Sequence, residues 1–202
     1  MRRGGDLVIL DHFAAYTNLP IKISDIEGFI LDRGFVDEIA YYVTDDDPGV
    51  LAGMLYHVRA SPPYRPYAGG KTIANIVYSE ELSLSSQRVI VAKELLHIFD
   101  ADGFAAKTQE QVSRLVGEIS LPAAAKAELQ RLSPAGENDH NGILLGIAVL
   151  FPRDARDELK PLYDKGLLGD EEIGSLAEIP EAFVPLIMGD KWGAVLEAIC
   201  PN

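Results

Sequence analysis

Residues 92–100 read Ala92-Lys93-Glu94-Leu95-Leu96-His97-Ile98-Phe99-Asp100, and within them Lys93-Glu94-Leu95-Leu96-His97 carries the spacing of the zinc motif HExxH with lysine in place of the first histidine. An α-helix brings positions i and i+4 to one face, so two imidazoles at that spacing can share one zinc ion while the glutamate between them activates a bound water. Here Glu94 and His97 keep their places and the first histidine is lost. Metal ligation needs a lone pair, and a lysine amine titrates near about 10.4, so freeing that lone pair at neutral pH costs roughly 4–5 kcal/mol. A charged amine at position 93 instead sets a positive charge beside the metal position, where it can pair with Glu94 or another carboxylate. The plainest reading is a site that holds zinc weakly or not at all.

Working outward, Leu84-Ser85-Ser86-Gln87 reads as the start of the motif helix, with serine available to cap its free amides. Val89, Ala92, Leu96 and Phe99 then form an apolar stripe, and Lys93, His97 and Asp100 share a neighbouring face. Upstream, 72–78 is rich in β-formers and predicts the strand that leads into the helix; 61–70, rich in Pro, Tyr and Gly, predicts a loop; 50–59 alternates loosely and predicts another strand, which includes His57. Asp45-Asp46-Asp47-Pro48-Gly49 is a strong turn, and its three carboxylates suggest a calcium loop, but the rest of that pattern is missing and a solvated turn is the better reading. After Asn18-Leu19-Pro20, apolar positions at Ile23, Ile26, Phe29 and Ile30 predict a helix with Ser24 as its cap, and 36–43 either continues it or forms a strand.

Beyond Gly103 the patterns are almost wholly helical, over 108–119, 122–132, 139–151, 153–165, 170–178 and 181–197, with a clear connection at Pro134-Ala135-Gly136. There is no internal repeat and no low-complexity tract. A length of 202 residues allows one domain with a sizeable core, or a domain with a small appendage.

The chain is 48% hydrophobic and 24% charged, ordinary for a globular protein. Its formal net charge of -13 argues against nucleic acid as the main partner, because duplex phosphate is held by clustered Lys and Arg. No apolar run approaches the roughly 18–20 residues that span a bilayer, and the N-terminus leads only into a short apolar stretch at 7–10, so a cytoplasmic protein without membrane contact is expected. The single cysteine, Cys200, excludes an internal disulfide framework and a cysteine-based zinc site.

These residues together resemble the ImmA/IrrE family of metallo-endopeptidases. The resemblance covers roughly 19–187: the Leu-Pro opening, a small sheet ending in a strand over 73–78, Arg88 ahead of the motif, Ala92-Lys93-Glu94-Leu95-Leu96-His97 where the family has AHELGH, and Val149-Leu150-Phe151-Pro152 in place of its LLMP turn. It implies a zincin-like domain in which two histidines and a downstream acidic residue hold zinc and the motif glutamate is the general base. Carried over, Glu94 matches the catalytic glutamate and His97 the second zinc histidine, while Lys93 stands at the first and alters the site. Counting back from Pro152 puts Asp139 at the third ligand, with Glu137 and His140 equally close. The resemblance further implies a role in transcriptional or mobile-element regulation, with a repressor or other regulatory protein as substrate or binding partner. The stretch 171–184 resembles the family's helix-turn-helix-like tail, but its turn is acidic, which favours packing within the protein over reading DNA.

Other residues have simpler readings. His12 and His57 read as surface or partly buried histidines rather than ligands, Tyr64, Tyr67 and Tyr78 as residues lining the sheet ahead of oxyanion stabilisers, and Trp192 as a core anchor. The expectation is an α+β domain, with a small N-terminal mixed sheet packed on the motif helix and a mostly helical C-terminal half. Its parts are an N-terminal extension over 1–18, a zincin-like metallopeptidase domain over 19–166 and a helical tail over 167–202. Three functions compete: a zinc endopeptidase with impaired catalysis, a pseudoprotease that binds a regulatory protein, and an unrelated helical interaction domain. The second predicts a salt bridge at Lys93; the third predicts Lys93 and His97 far from Asp139 and His140.

Overall fold

The computed structural model describes residues 5–60, 70–99, 122–132 and 137–199. The chain folds as an α+β domain in which a small mixed sheet and many helices surround one central helix. No helix among the described residues is long and apolar enough to cross a membrane.

Helix α1 (Gly5–Phe13) places Ile9 and Phe13 in the core. Helix α2 (Ile23–Asp32) buries Ile26, Phe29 and Ile30, the face its apolar spacing predicts. Its N-cap is Lys22, without a side-chain cap bond; Ser24 falls inside the first turn and does not cap it. The residues after it form a strand rather than more helix: β1 (Glu38–Thr44) is joined by β2 (Gly53–Ala60) and β3 (Lys71–Ser79) in the order β1-β3-β2. β1 runs parallel to β3, with Tyr41 opposite Ile76, and β2 runs antiparallel, with Leu55 opposite Ile76, so the sheet is mixed and β2 is an edge.

The 45–49 turn is closed by its own carboxylates. Asp47 Oδ1 accepts from the Gly49 amide at 2.8 Å and Asp46 Oδ2 from the Thr44 hydroxyl at 2.7 Å. All three aspartates are exposed, in keeping with a solvated turn.

Because successive strand residues point to opposite faces, Ile39, Ala74 and Ile76 all face the core. They pack towards α3 (Leu84–His97), the motif helix. Its cap is Ser83, two residues ahead of the nearest serine in the expected start at 84–87, and its hydroxyl accepts from the Ser86 amide at 3.2 Å. The stripe of Val89, Ala92, Leu96 and Phe99 proves too narrow a description. Every residue from Val89 to Leu96 is buried, because the sheet, α2 and the C-terminal helices enclose α3 on several sides. A helix so placed is expected to be apolar all round. Lys93 and Glu94 are the charged exceptions.

The C-terminal half is α4 (Ala123–Leu132), α5 (Glu137–Leu150), α6 (Arg153–Asp164), α7 (Asp170–Ala177), a 3-10 turn (Glu181–Phe183), α8 (Val184–Ile187) and α9 (Trp192–Ile199). The single helix read over 181–197 is thus interrupted around Gly189 and Asp190, where Gly189 donates to Leu186 rather than continuing the i to i−4 ladder. Trp192 is a buried anchor, as expected. Ile173, Phe183 and Val195 belong to the same core as Ile9, Phe13 and Ile90. The expected helix over 108–119 and the residues Tyr64, Tyr67, Asp100 and Cys200 lie outside the described residues, as do the side chains of 137–139.

Candidate functional site

Two charged side chains on a wholly buried stretch of helix need a reason, since a buried charge is retained only when it is paired or hydrogen-bonded. Lys93 is 2% and Glu94 3% exposed, and Lys93 Nζ lies 2.9 Å from Glu94 Oε1. Neighbouring helix positions point about 100° apart, so they do not ordinarily meet. The two arms converge because the packing on either side leaves them one shared space. The contact has ion-pair distance without the alignment of a hydrogen bond, so Glu94 Oε1 keeps an unused acceptor. Lys93 and His97 each have at least one further interaction.

Glycines shape that space. A Cβ at Gly53, where edge strand β2 begins, would stand 2.3 Å from Ile90 Cγ2 and 3.0 Å from Glu94 Oε1. On the other side a Cβ at Gly142 of α5 would stand 2.8 Å from Lys93 Cγ and 3.1 Å from His97 Nε2. One turn on, a Cβ at Gly146 would stand 3.2 Å from the Lys93 amide nitrogen and 3.3 Å from the Val89 carbonyl oxygen. Small residues four apart let two helices approach backbone to backbone. The sequence reading missed these three glycines, although the spacing Gly142-Ile143-Leu144-Leu145-Gly146 is a visible signal.

The structure therefore brings Lys93 and His97 together under Gly142, with Glu94 beside Lys93 and next to Gly53. Position 139 lies three residues before Gly142 and shares that side of α5 by helical spacing, and 137 and 138 lie in the same turn; the side chains of 137–139 are not described. His140 is half-buried, and its Nε2 is fully buried without a hydrogen-bond partner among the described residues. His12 and His57 are both exposed; His12 packs its ring 4.5 Å from that of Phe29.

At the first position of the motif a zinc ion would meet a lysine amine in place of an imidazole. Position 93 presents an amine held against the motif carboxylate, His97 is the one histidine of the motif, and no group of three His, Cys, Asp or Glu side chains gathers as a metal site among the described residues.

Arg88, one turn ahead of the motif, works on a different face of α3. Its Nη2 donates to the Ile21 carbonyl at 2.8 Å and its Nε to the Glu178 carbonyl at 3.2 Å, while Nη1 lies 3.2 Å from Glu178 Oε2. Burial pulls its pKa down and the Glu178 carboxylate partly offsets this. Glu178 is the C-cap of α7 in the left-handed region at φ 52, so Arg88 ties a helix end and the Ile21 segment to α3. Tyr78 lines a cleft beside Arg88.

Comparison with protein-family models, with curated proteins and with solved structures finds no match to this chain.

Proposed function

We propose that this chain is a zincin-like domain of the ImmA/IrrE type whose metal position is taken over by the Lys93–Glu94 ion pair, and that it acts in transcriptional or mobile-element regulation by binding a regulatory protein without cutting it. The observation that carries this reading is the 2.9 Å contact between two side chains that are both almost wholly buried. A general base must reach the water it activates, and Glu94 is instead held by the amine beside it. The mixed sheet with an antiparallel edge strand, the motif on a helix beneath it and the close approach of α5 to Lys93 and His97 support the zincin-like half of the reading.

The test is the zinc content of the purified full chain and of Lys93→His, measured by elemental analysis after incubation with zinc and dialysis. The expected result is no stoichiometric zinc in the parent chain and a gain in affinity of about tenfold or more, or ~1.4 kcal/mol or more, in Lys93→His. Stoichiometric zinc in the parent chain, together with peptide hydrolysis lost in Glu94→Gln, would make the protein a working endopeptidase. No gain in Lys93→His would overturn the zincin-like register.

A further inference from the structure

A cleft of about 850 Å³ opens on a face of α3 away from the Lys93–Glu94 pair. Leu84, Arg88 and Val91 follow one another at i, i+4 and i+7 and form one wall. Tyr41 of β1 and Tyr78 of β3, which share the inner sheet face by register, form the second. The third is α7 and the turn after it, with Ile179 in the floor and Glu171, Glu178 and Glu181 at the rim.

The walls are mainly apolar and the rim is acidic. The one cation among the lining residues, Arg88, already spends Nε, Nη1 and Nη2 on Ile21 and Glu178. The side chains of Glu171 and Glu181 are exposed and make no hydrogen bond or ion pair among the described residues. An anionic ligand would meet these carboxylates unshielded, on a chain whose formal net charge is -13. A ligand with positive charges would find two free partners and two phenol rings. Leu84, 80% exposed at the lip, and Leu176, 44% exposed on α7, extend apolar surface outside the cleft. The volume is near the upper end of the roughly 300–1,000 Å³ of small-molecule sites, but the cleft is open along one side, which suits side chains laid in from a larger partner.

We infer that this cleft is a docking site for a protein segment that presents a large apolar side chain flanked by Lys or Arg. The apolar side chain lies against Val91, Ile179 and the tyrosine rings, and the basic residues reach Glu171 and Glu181. The inference does not rest on the reading of Lys93, because the cleft and the ion pair use different faces of α3.

The test is selection of a random peptide display library on the immobilised full chain, followed by fluorescence anisotropy of the enriched peptides. Peptides that combine Leu, Ile, Phe or Trp with Lys or Arg should be enriched. Their affinity should fall about tenfold or more in Glu171→Gln/Glu181→Gln and fall again at high salt. Both substitutions are at exposed positions, and unchanged circular dichroism checks that the fold is intact. A second variant, Val91→Ala, should weaken the same peptides through the apolar half. The inference is overturned if the enriched peptides are acidic or show no charge bias, if they bind the double variant equally well, if spermine competes with them as an equal, or if no peptide is enriched. Self-association of the chain that is lost in the double variant would make a second copy the occupant, and overturn it as well.

Discussion

Lys93 and Glu94 are adjacent on one helix, yet Lys93 Nζ meets Glu94 Oε1 at 2.9 Å with both side chains removed from solvent. Their alignment follows from enclosure, since Gly53 from the sheet and Gly142 from α5 close on the pair from two sides. Removing Lys93 leaves the buried Glu94 carboxylate without the amine beside it.

Lys93→Met is therefore expected to cost about 3–5 kcal/mol, and Lys93→Met/Glu94→Leu should cost clearly less than the sum of the two single substitutions. Urea unfolding of the four proteins in the cycle reads this directly. Additive losses would show that the two side chains do not support one another.

The glycines against α3 should be intolerant of side chains. Gly142→Val forces a Cβ to 2.8 Å from Lys93 Cγ, and Gly146→Val forces one to 3.2 Å from the Lys93 amide nitrogen, so each should destabilise by about 1–3 kcal/mol. A Cβ added at Gly28 of α2 would meet no atom within 4 Å, and Gly28→Ala should stabilise by about 0.4–1 kcal/mol. Thermal melts of the three variants rank them.

Arg88→Ala should unfasten the Ile21 segment and the end of α7 from α3 together. Loss of two carbonyl acceptors and one ion pair, with a half-buried void in their place, is expected to cost about 1–3 kcal/mol. Amide exchange should quicken around Ile21 and Ile179 ahead of the rest of the chain.

Tyr41 gives a pH dependence. Burial first, and then the Glu27 carboxylate that accepts its hydroxyl at 3.4 Å, push its pKa up. Between the unfolded phenol pKa of about 10 and the raised folded value, the unfolded chain holds fewer protons than the folded one, so stability falls as pH rises through that window. Denaturant midpoints at about pH 9 and about pH 11 should fall more in the parent chain than in Tyr41→Phe. An equal fall would assign the alkaline loss to other groups.

Much of this architecture is legible in the sequence. The 3.6-residue spacing of Ile26, Phe29 and Ile30 marks α2, and the β-rich run ahead of a serine-capped helix marks β3 and α3. What it misses has physical causes. Ser24 resembles a cap by type, but the helix begins ahead of it and Lys22 takes the N-cap without a side-chain bond. The burial of Lys93 and Glu94 could not be read from a stripe, because enclosure on several sides is a property of the neighbours. The pairing of those two residues was among the sequence-based options, whereas the part played by Gly53, far from Gly142 along the chain, emerges only when strand and helix close on α3 from opposite sides.

The glycine pair of α5 has a geometric corollary. With Gly142 and Gly146 both seated against α3, the helix has a single rotational setting: turning it about its axis would drive the bulk of Ile143 or Leu145 into the groove that the glycines fill. That setting also fixes which positions of the preceding turn stand over Lys93. A side chain added at either glycine would thus push α5 off α3, and the space around Lys93 and His97 would change without any change to the residues of the motif.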